Sequence, residues 1–225
     1  LAVIDDVVTM RTPRARAKER AEVEIADPQR PEVGNQLTNL LEAMRRQTPD
    51  AHFVLAASAE IFGSPEVAPQ DEGTPLRAAS PYGLSKLLAH AAMGSWRASF
   101  GLAASSAVLF NHESELRDEA FVTRKISLGV ARILLGKQQE LALGNLDARR
   151  DFGYAPEYMA ALANMADRES GDDYVLATGH AASVREFASA AFAAVDMPIE
   201  WQGRAAAEIG REVKSGKVRV RIDAQ

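Results

Sequence analysis

Strands that alternate with helices of ten or more residues predict an α/β fold with a mainly parallel sheet. Two observations carry this reading. His52-Phe53-Val54-Leu55-Ala56-Ala57 is a short, mostly apolar run, the pattern of a strand covered on both faces. Around it the apolar period is helical: Leu37, Leu40, Leu41 and Met44 recur at i, i+3, i+4 and i+7, and Val122, Ile126, Val130 and Ile133 mark a second such face.

The elements follow in order. Leu1 to Ile4 and Val7-Val8 are strand-like, and a basic stretch from Arg11 to Arg20 contains Pro13. Ala21 to Ala26 alternates as a short half-buried strand. Asp5, Asp6, Glu19, Glu22 and Glu24 argue against a transit peptide, which is poor in acids. After the strand at residue 52, Pro65 to Pro81 is rich in proline, glycine and charge and reads as loop. Tyr82 to Ser99 is helical in composition and closed by Gly101; Ala104 to Phe110 is again strand-like. The helix marked by Val122 ends at Gly136, in the place of a C-cap glycine. Pro156 suits the first turn of a helix through about Met165, and Tyr174 to Ala177 is a short strand. Ser183-Val184-Arg185-Glu186 has the spacing of a capping box, and Lys217 to Ile222 alternates as a late strand. A soft boundary lies near residue 111, where an apolar strand gives way to a charged loop.

Composition narrows the classes. The 225 residues carry 26 basic and 31 acidic side chains, a net charge of −5, which does not suit coating nucleic acid through a bulk basic field. No apolar run reaches the length of a membrane span. With no cysteine, a disulfide scaffold, a thiolate nucleophile and a Cys-type zinc site are excluded. The four histidines lack metal-ligand spacing, and His52, His90 and His180 read as structural.

The chemistry concentrates in two segments. In Ser80-Pro81-Tyr82-Gly83-Leu84-Ser85-Lys86, Tyr82 and Lys86 lie one turn apart on one helix face. A lysine ammonium near a phenol favours the phenolate, which can take a proton from a sugar hydroxyl. Chance Tyr-x-x-x-Lys pairs are common, so the spacing alone is weak evidence. The second segment, Ala56-Ala57-Ser58-Ala59-Glu60-Ile61-Phe62-Gly63, follows the apolar strand at its carboxyl end, where open α/β sheets bind ligands. Ser58 offers a hydroxyl and Glu60 a carboxylate that can remove or deliver a proton. Taken singly, Ser58 reads as a strand-end cap and Glu60 as a solvated turn residue.

Taken together, Ser58, Tyr82 and Lys86 resemble the triad of the extended short-chain dehydrogenase/reductase superfamily. Longer strings narrow the resemblance to the GDP-mannose 4,6-dehydratase family: Phe110-Asn111-His112-Glu113-Ser114, Phe121-Val122-Thr123-Arg124-Lys125-Ile126, Leu143-Gly144-Asn145-Leu146-Asp147, Arg150-Asp151-Phe152-Gly153-Tyr154-Ala155, and Tyr174 to Gly179 with Ser183-Val184-Arg185. The similarity runs from about Leu37 to Gly203.

The resemblance implies a Rossmann-like, doubly wound parallel sheet, incomplete as given, with a smaller C-terminal substrate-binding domain. Residues 1–110 would be a partial NADP-binding domain. Residues 111–225 would mainly bind the nucleotide sugar, with some elements returning to the first domain. It implies an NADP-dependent lyase of deoxysugar biosynthesis, cytoplasmic and homo-oligomeric (dimer or tetramer), acting on GDP-mannose or a related GDP-sugar such as a GDP-heptose. Tyr82, assisted by Lys86, would accept the C4 hydroxyl proton, and Ser58, where the family usually has Thr, would hydrogen-bond the C4 oxygen. Glu60 would remove the C5 proton and help expel the C6 hydroxyl as water. The resemblance assigns Lys86, His112 and Arg117 to the cofactor. It sets Asn111, Lys125 and Arg150 near the sugar diphosphate and Asn145 near the nucleotide. Without it, Lys125 and Arg150 read as solvated charges.

The chain also departs from the family. The family's phosphate turn, G-x-x-G-x-x-G, is absent: no two glycines lie closer than the six positions between Gly210 and Gly216. Only 59 residues precede Glu60, where four strand–helix units need on the order of 100. With Leu1 in the first place, this implies segments missing before Leu37 and, since the family continues, after Asp223. Arg11-Thr12-Pro13-Arg14 resembles the stretch after the family's second strand, which would set Arg11 on the NADP 2′-phosphate and make Ala21 to Asp27 the third strand; a solvated basic loop is the other reading. Glu115-Leu116-Arg117-Asp118 replaces the family's Pro-Arg-Arg-Gly. Two alternatives to the dehydratase stay open: a GDP-sugar reductase or epimerase on the same scaffold, against which Glu60 argues, and a catalytically degenerate homologue.

Overall fold

A computed structural model describes residues 8–11 and 33–223. The strands are β1 (Val8–Arg11), β2 (His52–Ser58), β3 (Ala104–Leu109), β4 (Asn111–Glu113), β5 (Leu141–Leu143), β6 (Arg149–Tyr154), β7 (Asp173–Leu176), β8 (Ala181–Ser183), β9 (Ile199–Gln202), β10 (Ile209–Glu212) and β11 (Val218–Ile222). The α-helices are α1 (Val33–Gln47), α2 (Pro81–Phe100), α3 (Val122–Leu134), α4 (Ala155–Ala166) and α5 (Val184–Ala193). The chain divides into two units, residues 1–110 with 156–177, and residues 111–155 with 178–225.

The first unit is built on β2, buried from His52 to Ala57. Phe53, Leu55 and Ala57 pack with Leu41 and Met44 of α1 and Ala89 and Met93 of α2. The alternate residues Val54 and Ala56 meet Tyr158 and Met165 of α4 on the opposite face. Two covered faces explain why the run is apolar throughout. Burying a side chain such as Phe53 stabilises by about 1.5–3 kcal/mol. The sheet order is β1-β2-β3-β7. β2, β3 and β7 are parallel, in register Phe53↔Ala104 and Ser106↔Asp173.

β3 is buried along its whole length yet carries Ser105 and Ser106. Each is paired: His52 Nε2 lies 2.8 Å from Ser105 Oγ and His90 Nδ1 2.8 Å from Ser106 Oγ. Both histidines are thus structural groups, as their sequence context suggests, and burial lowers the pKa of His90. Arg97 of α2 donates to both oxygens of Asp173 (3.1 and 2.8 Å), tying the helix to the start of β7.

One expectation is corrected here. β1 runs antiparallel to β2, pairing Val8 with Leu55 and Arg11 with His52. Arg11 therefore ends a strand rather than lying in a loop. It stands at the amino end of β2, opposite the end that carries Ser58. The strand expected from Leu1 to Ile4, the rest of the basic stretch and the strand expected at Ala21–Asp27 lie outside the described residues.

The second unit contains two small sheets, ordered β5-β11-β10-β9 and β4-β6-β8. Ile126 and Ile133 of α3 and Phe192 of α5 share a core with Leu143 and Val220 of the first sheet. A Cβ at Gly129 would come within 2.7 Å of Leu141, so α3 lies as close to β5 as glycine permits. The capping box forms: Ser183 Oγ accepts from Glu186 N (3.1 Å) and Ser183 N donates to Glu186 Oε2 (2.6 Å). Gly136 takes φ +68°, as expected of a residue that stops a helix in the left-handed region. β4, β5, β8, β9 and β10 are three or four residues long, too short for alternation to announce them.

Candidate active site

The local sequence builds the first part of the site at the carboxyl end of β2. Ser58 closes the strand and caps a 3-10 turn, Ala59–Phe62, its Oγ accepting from Glu60 N at 3.3 Å. Gly63 ends the turn with φ +64°, and a Cβ there would stand 2.0 Å from Arg77 O. Ser80 then caps α2, accepting from Gly83 N at 2.9 Å, with Pro81 at the first helical position. A Cβ at Gly83 would lie 2.7 Å from Glu60 O. That close approach sets the first turn of α2, with Tyr82, directly against the turn that bears Glu60.

Lys86 follows one helical turn after Tyr82 and is 8% exposed, whereas Tyr82 is 42% exposed. Its Nζ donates to Ala56 O on β2 (3.2 Å) and lies 5.7 Å from the centre of the Tyr82 ring. A hydroxyl, an exposed carboxylate, a phenol and a buried ammonium thus converge on one strand end. A hydroxyl has one donor and two acceptor positions, so Ser58 can still donate outward while accepting from Glu60 N.

The remaining candidates belong to the second unit. Asn111 and His112 are half-buried on β4, paired with Phe152 and Gly153 of β6. Arg117 lies 3.5 Å from the Glu113 carboxylate, its guanidinium 3.6 Å from the centre of the Phe121 ring. Glu113 also accepts from Thr123 Oγ1 (2.6 Å), which fixes the first turn of α3, where Lys125 follows half-buried. Arg150 is exposed on β6. Asn145 is exposed too, but its Oδ1 accepts from Asp147 N (2.9 Å), a turn of its own. Arg11 joins neither set, because its register places it at the other end of β2.

Residues 32–225 match the family described as GDP-mannose 4,6 dehydratase. The chain belongs to that family. It is 47% identical to a GDP-mannose 4,6-dehydratase of Sordaria araneosa over 171 residues, covering 76% of this chain and 31% of that protein. With the human protein it shares 43% over 171 residues (76% and 46%) and with that of Dictyostelium discoideum 40% over 186 residues (82% and 52%). The chain thus spans about half, or less, of the length of these relatives. Among solved structures, RMD from Pseudomonas aeruginosa complexed with NADPH superposes with a TM-score of 0.67 at 24% identity, over 83% of this chain and 62% of that one. A dTDP-glucose 4,6-dehydratase from Bacillus anthracis gives 0.66 at 17% identity, over 84% and 54%. These two likenesses establish the Rossmann-like fold.

Within this GDP-mannose 4,6 dehydratase family member, sequence reasoning passed over Asp151. It stands in the string Arg150-Asp151-Phe152, which carries the family resemblance. A carboxylate between an arginine and an aromatic residue on a strand was the available signal. Its side chain is buried and accepts from Thr178 N, Thr178 Oγ1 and Gly179 N.

Proposed function

We propose that the chain is the catalytic part of a nucleotide-sugar 4,6-dehydratase, an NADP-dependent lyase that converts GDP-mannose to GDP-4-keto-6-deoxymannose. The observation that carries this reading is Glu60 beside Ser58, Tyr82 and Lys86. A hydroxyl, a phenol and an ammonium suffice to take the proton of a carbinol whose hydride goes to a nicotinamide acceptor; a carboxylate one short turn away is needed only if a second proton must move. Family membership and the names of the relatives support the same substrate.

The donor set fits the reactive end of a nicotinamide dinucleotide, with a buried ammonium and a phenol at the carboxyl end of a parallel strand. A glycine-rich cradle for its pyrophosphate is not among the described residues. Lys86, with His112 and Arg117, would hold NADP, which when bound supplies a reversible two-electron acceptor. Tyr82 takes the proton of the C4 hydroxyl, and Lys86 stabilises the charge developing on the phenol oxygen. Ser58 donates to the C4 oxygen. Once C4 is a ketone, the C5 proton is acidic and Glu60 removes it. The C5–C6 double bond forms as the C6–O bond breaks. The proton on Glu60 passes to the departing hydroxyl, which leaves as water; return of the C4 hydride to C6, with a proton regained at C5, would saturate the double bond and complete the 6-deoxy product with no net redox. Asn111, Lys125 and Arg150 hold the sugar diphosphate and Asn145 the nucleotide; a guanidinium suits a diphosphate because it donates two parallel hydrogen bonds.

The same reading carries a cytoplasmic location and a homo-oligomer, dimer or tetramer. Among the described residues, no helix is long and apolar enough to cross a membrane.

The test uses the protein at its full natural length, incubated with GDP-mannose and NADP while the keto sugar is followed by mass. Glu60→Gln is expected to lower kcat by about 10²–10⁴-fold, the usual contribution of a positioned acid–base group, with binding retained. Wild-type rates in that variant would sink the reading. Net consumption of NADPH, when it replaces NADP in the assay, would favour a reductase, an isomeric GDP-sugar of unchanged mass an epimerase, and no affinity for NADP a degenerate homologue.

A further inference from the structure

Asp151 is 7% exposed and takes no part in the chemistry above. Its Oδ1 accepts from Thr178 N (3.0 Å) and Thr178 Oγ1 (2.9 Å), its Oδ2 from Thr178 N (3.0 Å) and Gly179 N (2.8 Å). The position of this clamp in the chain is informative. Residues 156–177 belong to the other unit, so Thr178 is the first residue to re-enter this one. Gly179 follows with φ +77°, and β8 begins at Ala181. The carboxylate therefore holds the turn that leads into β8, just ahead of its first ladder pair with β6 along the chain.

β8 pairs with β6 at Arg149↔Ser183, Arg150↔Ala182 and Asp151↔Ala181. On its other edge β6 pairs with β4, where Asn111 faces Phe152. Side chains alternate along a strand, so Asp151 points into the unit while Arg150, exposed, points out. We infer that Asp151 is a positioning residue for the sugar-diphosphate groups. By clamping Thr178 and Gly179 it locks β8 onto β6 and so fixes the backbone from which Arg150, and across the ladder Asn111, reach the ligand. The inference rests on the dehydratase reading for its ligand only.

The arrangement requires a carboxylate. Three donors converge on it, and both oxygens are used. An asparagine of the same shape has one acceptor oxygen and would turn its NH₂ toward another donor, leaving buried groups unpaired.

The test compares wild type, Asp151→Asn and Thr178→Val in the protein at its full natural length. Asp151→Asn is expected to raise KM for GDP-mannose about tenfold with kcat within about twofold, the signature of lost ligand positioning. Thr178→Val removes one donor of the three and is expected to raise KM about threefold. Amide hydrogen exchange at Thr178 and Gly179 is expected to quicken about tenfold in Asp151→Asn. Unchanged KM in a variant whose two amides exchange faster would overturn the inference, as would a fall in kcat alone or slow exchange retained. If Asp151→Asn does not fold, Thr178→Val carries the same readouts. Absence of turnover in wild type would count against the dehydratase reading, not this one. The Kd for GDP, expected about tenfold weaker in Asp151→Asn, then decides it.

Discussion

The unit built on β2 and the unit built on β6 and β11 hold their polar groups by different means. Around the candidate groups of the first, the backbone does the holding. Lys86 donates to the Ala56 carbonyl, Ser58 accepts from the Glu60 amide, and Gly83 lies against the Glu60 carbonyl. In the second, carboxylates do it: Asp151 for the Thr178 turn, Glu113 for Thr123 and Arg117, Glu186 for Arg149 and the Ser183 amide, and Asp147 with Glu208 for Arg185. Backbone contacts do not titrate and are little screened by salt, whereas carboxylate contacts are open to both. The contacts that hold the groups proposed to react therefore do not themselves titrate. Those around the groups proposed to hold the ligand do.

The largest effect expected from this comparison is chemical. Tyr82→Phe should cost about 10²–10⁴-fold in kcat. Because Tyr82 is exposed at the surface of α2, stability should stay within about 0.5 kcal/mol of wild type in a urea titration. A large loss of stability would mean that the phenol is a structural member of the frame.

Acid should part the two units. His90 lies below its ordinary value of 6.5, first because it is buried, with Asp173 opposing and Arg97 adding. Below pH 6.5 the unfolded chain binds a proton that the folded β2 unit resists, so that unit weakens as pH falls toward the lowered value. Glu186 lies below its ordinary 4.5, first through the Ser183 amide. Its contribution is complete above pH 4.5 and is lost as pH falls through its folded value. Glu42 of α1, lowered to about 2 by hydrogen bonds from Arg45 and Arg46, likewise contributes fully above pH 4.5 and loses its contribution only as pH falls below it. The two tryptophans separate the readings, since Trp96 packs on the core of the β2 unit and Trp201 on that of the other. Fluorescence of Trp201→Phe protein is expected to change at higher pH than that of Trp96→Phe protein. Coincident transitions would break the comparison.

The smallest effect sharpens it. Ser183→Ala removes the cap of α5 and is expected to cost about 1 kcal/mol, the usual worth of an N-cap. The loss should appear in the Trp201 signal alone.

Legibility in the sequence followed the same division. Residues 53–57 announced themselves because burial on both faces forces a continuous apolar run, residues 104–109 more faintly because Ser105 and Ser106 interrupt theirs, and Leu37, Leu41 and Met44 because one helix face meets that sheet. Ser58, Glu60, Tyr82 and Lys86 came forward only together, through the family resemblance; singly, Ser58 reads as the strand-end cap that it also is, and Tyr82 and Lys86 as a common spacing. The second unit was less legible. β4 and β8 have three residues each and exist only through pairing with β6, which is distant in sequence. The role of Asp151 depends on donors 27 and 28 residues away. Arg11 reads from its neighbours as lying after a strand or in a basic loop, and only pairing with the distant β2 sets it within a strand.

The division of the chain also sets an order of assembly. The β2 unit takes β7 and all but the first residue of α4 from residues 156–177, after the first half of the other unit. On the ribosome, Val54, Ala56, Ala107 and Leu109 would emerge with one face bare, and Tyr158 and Met165, which cover it, follow only about 50 residues later, several seconds at ordinary rates of synthesis. Until then this half-sheet would be a bare apolar surface, the part of the chain most open to aggregation during synthesis.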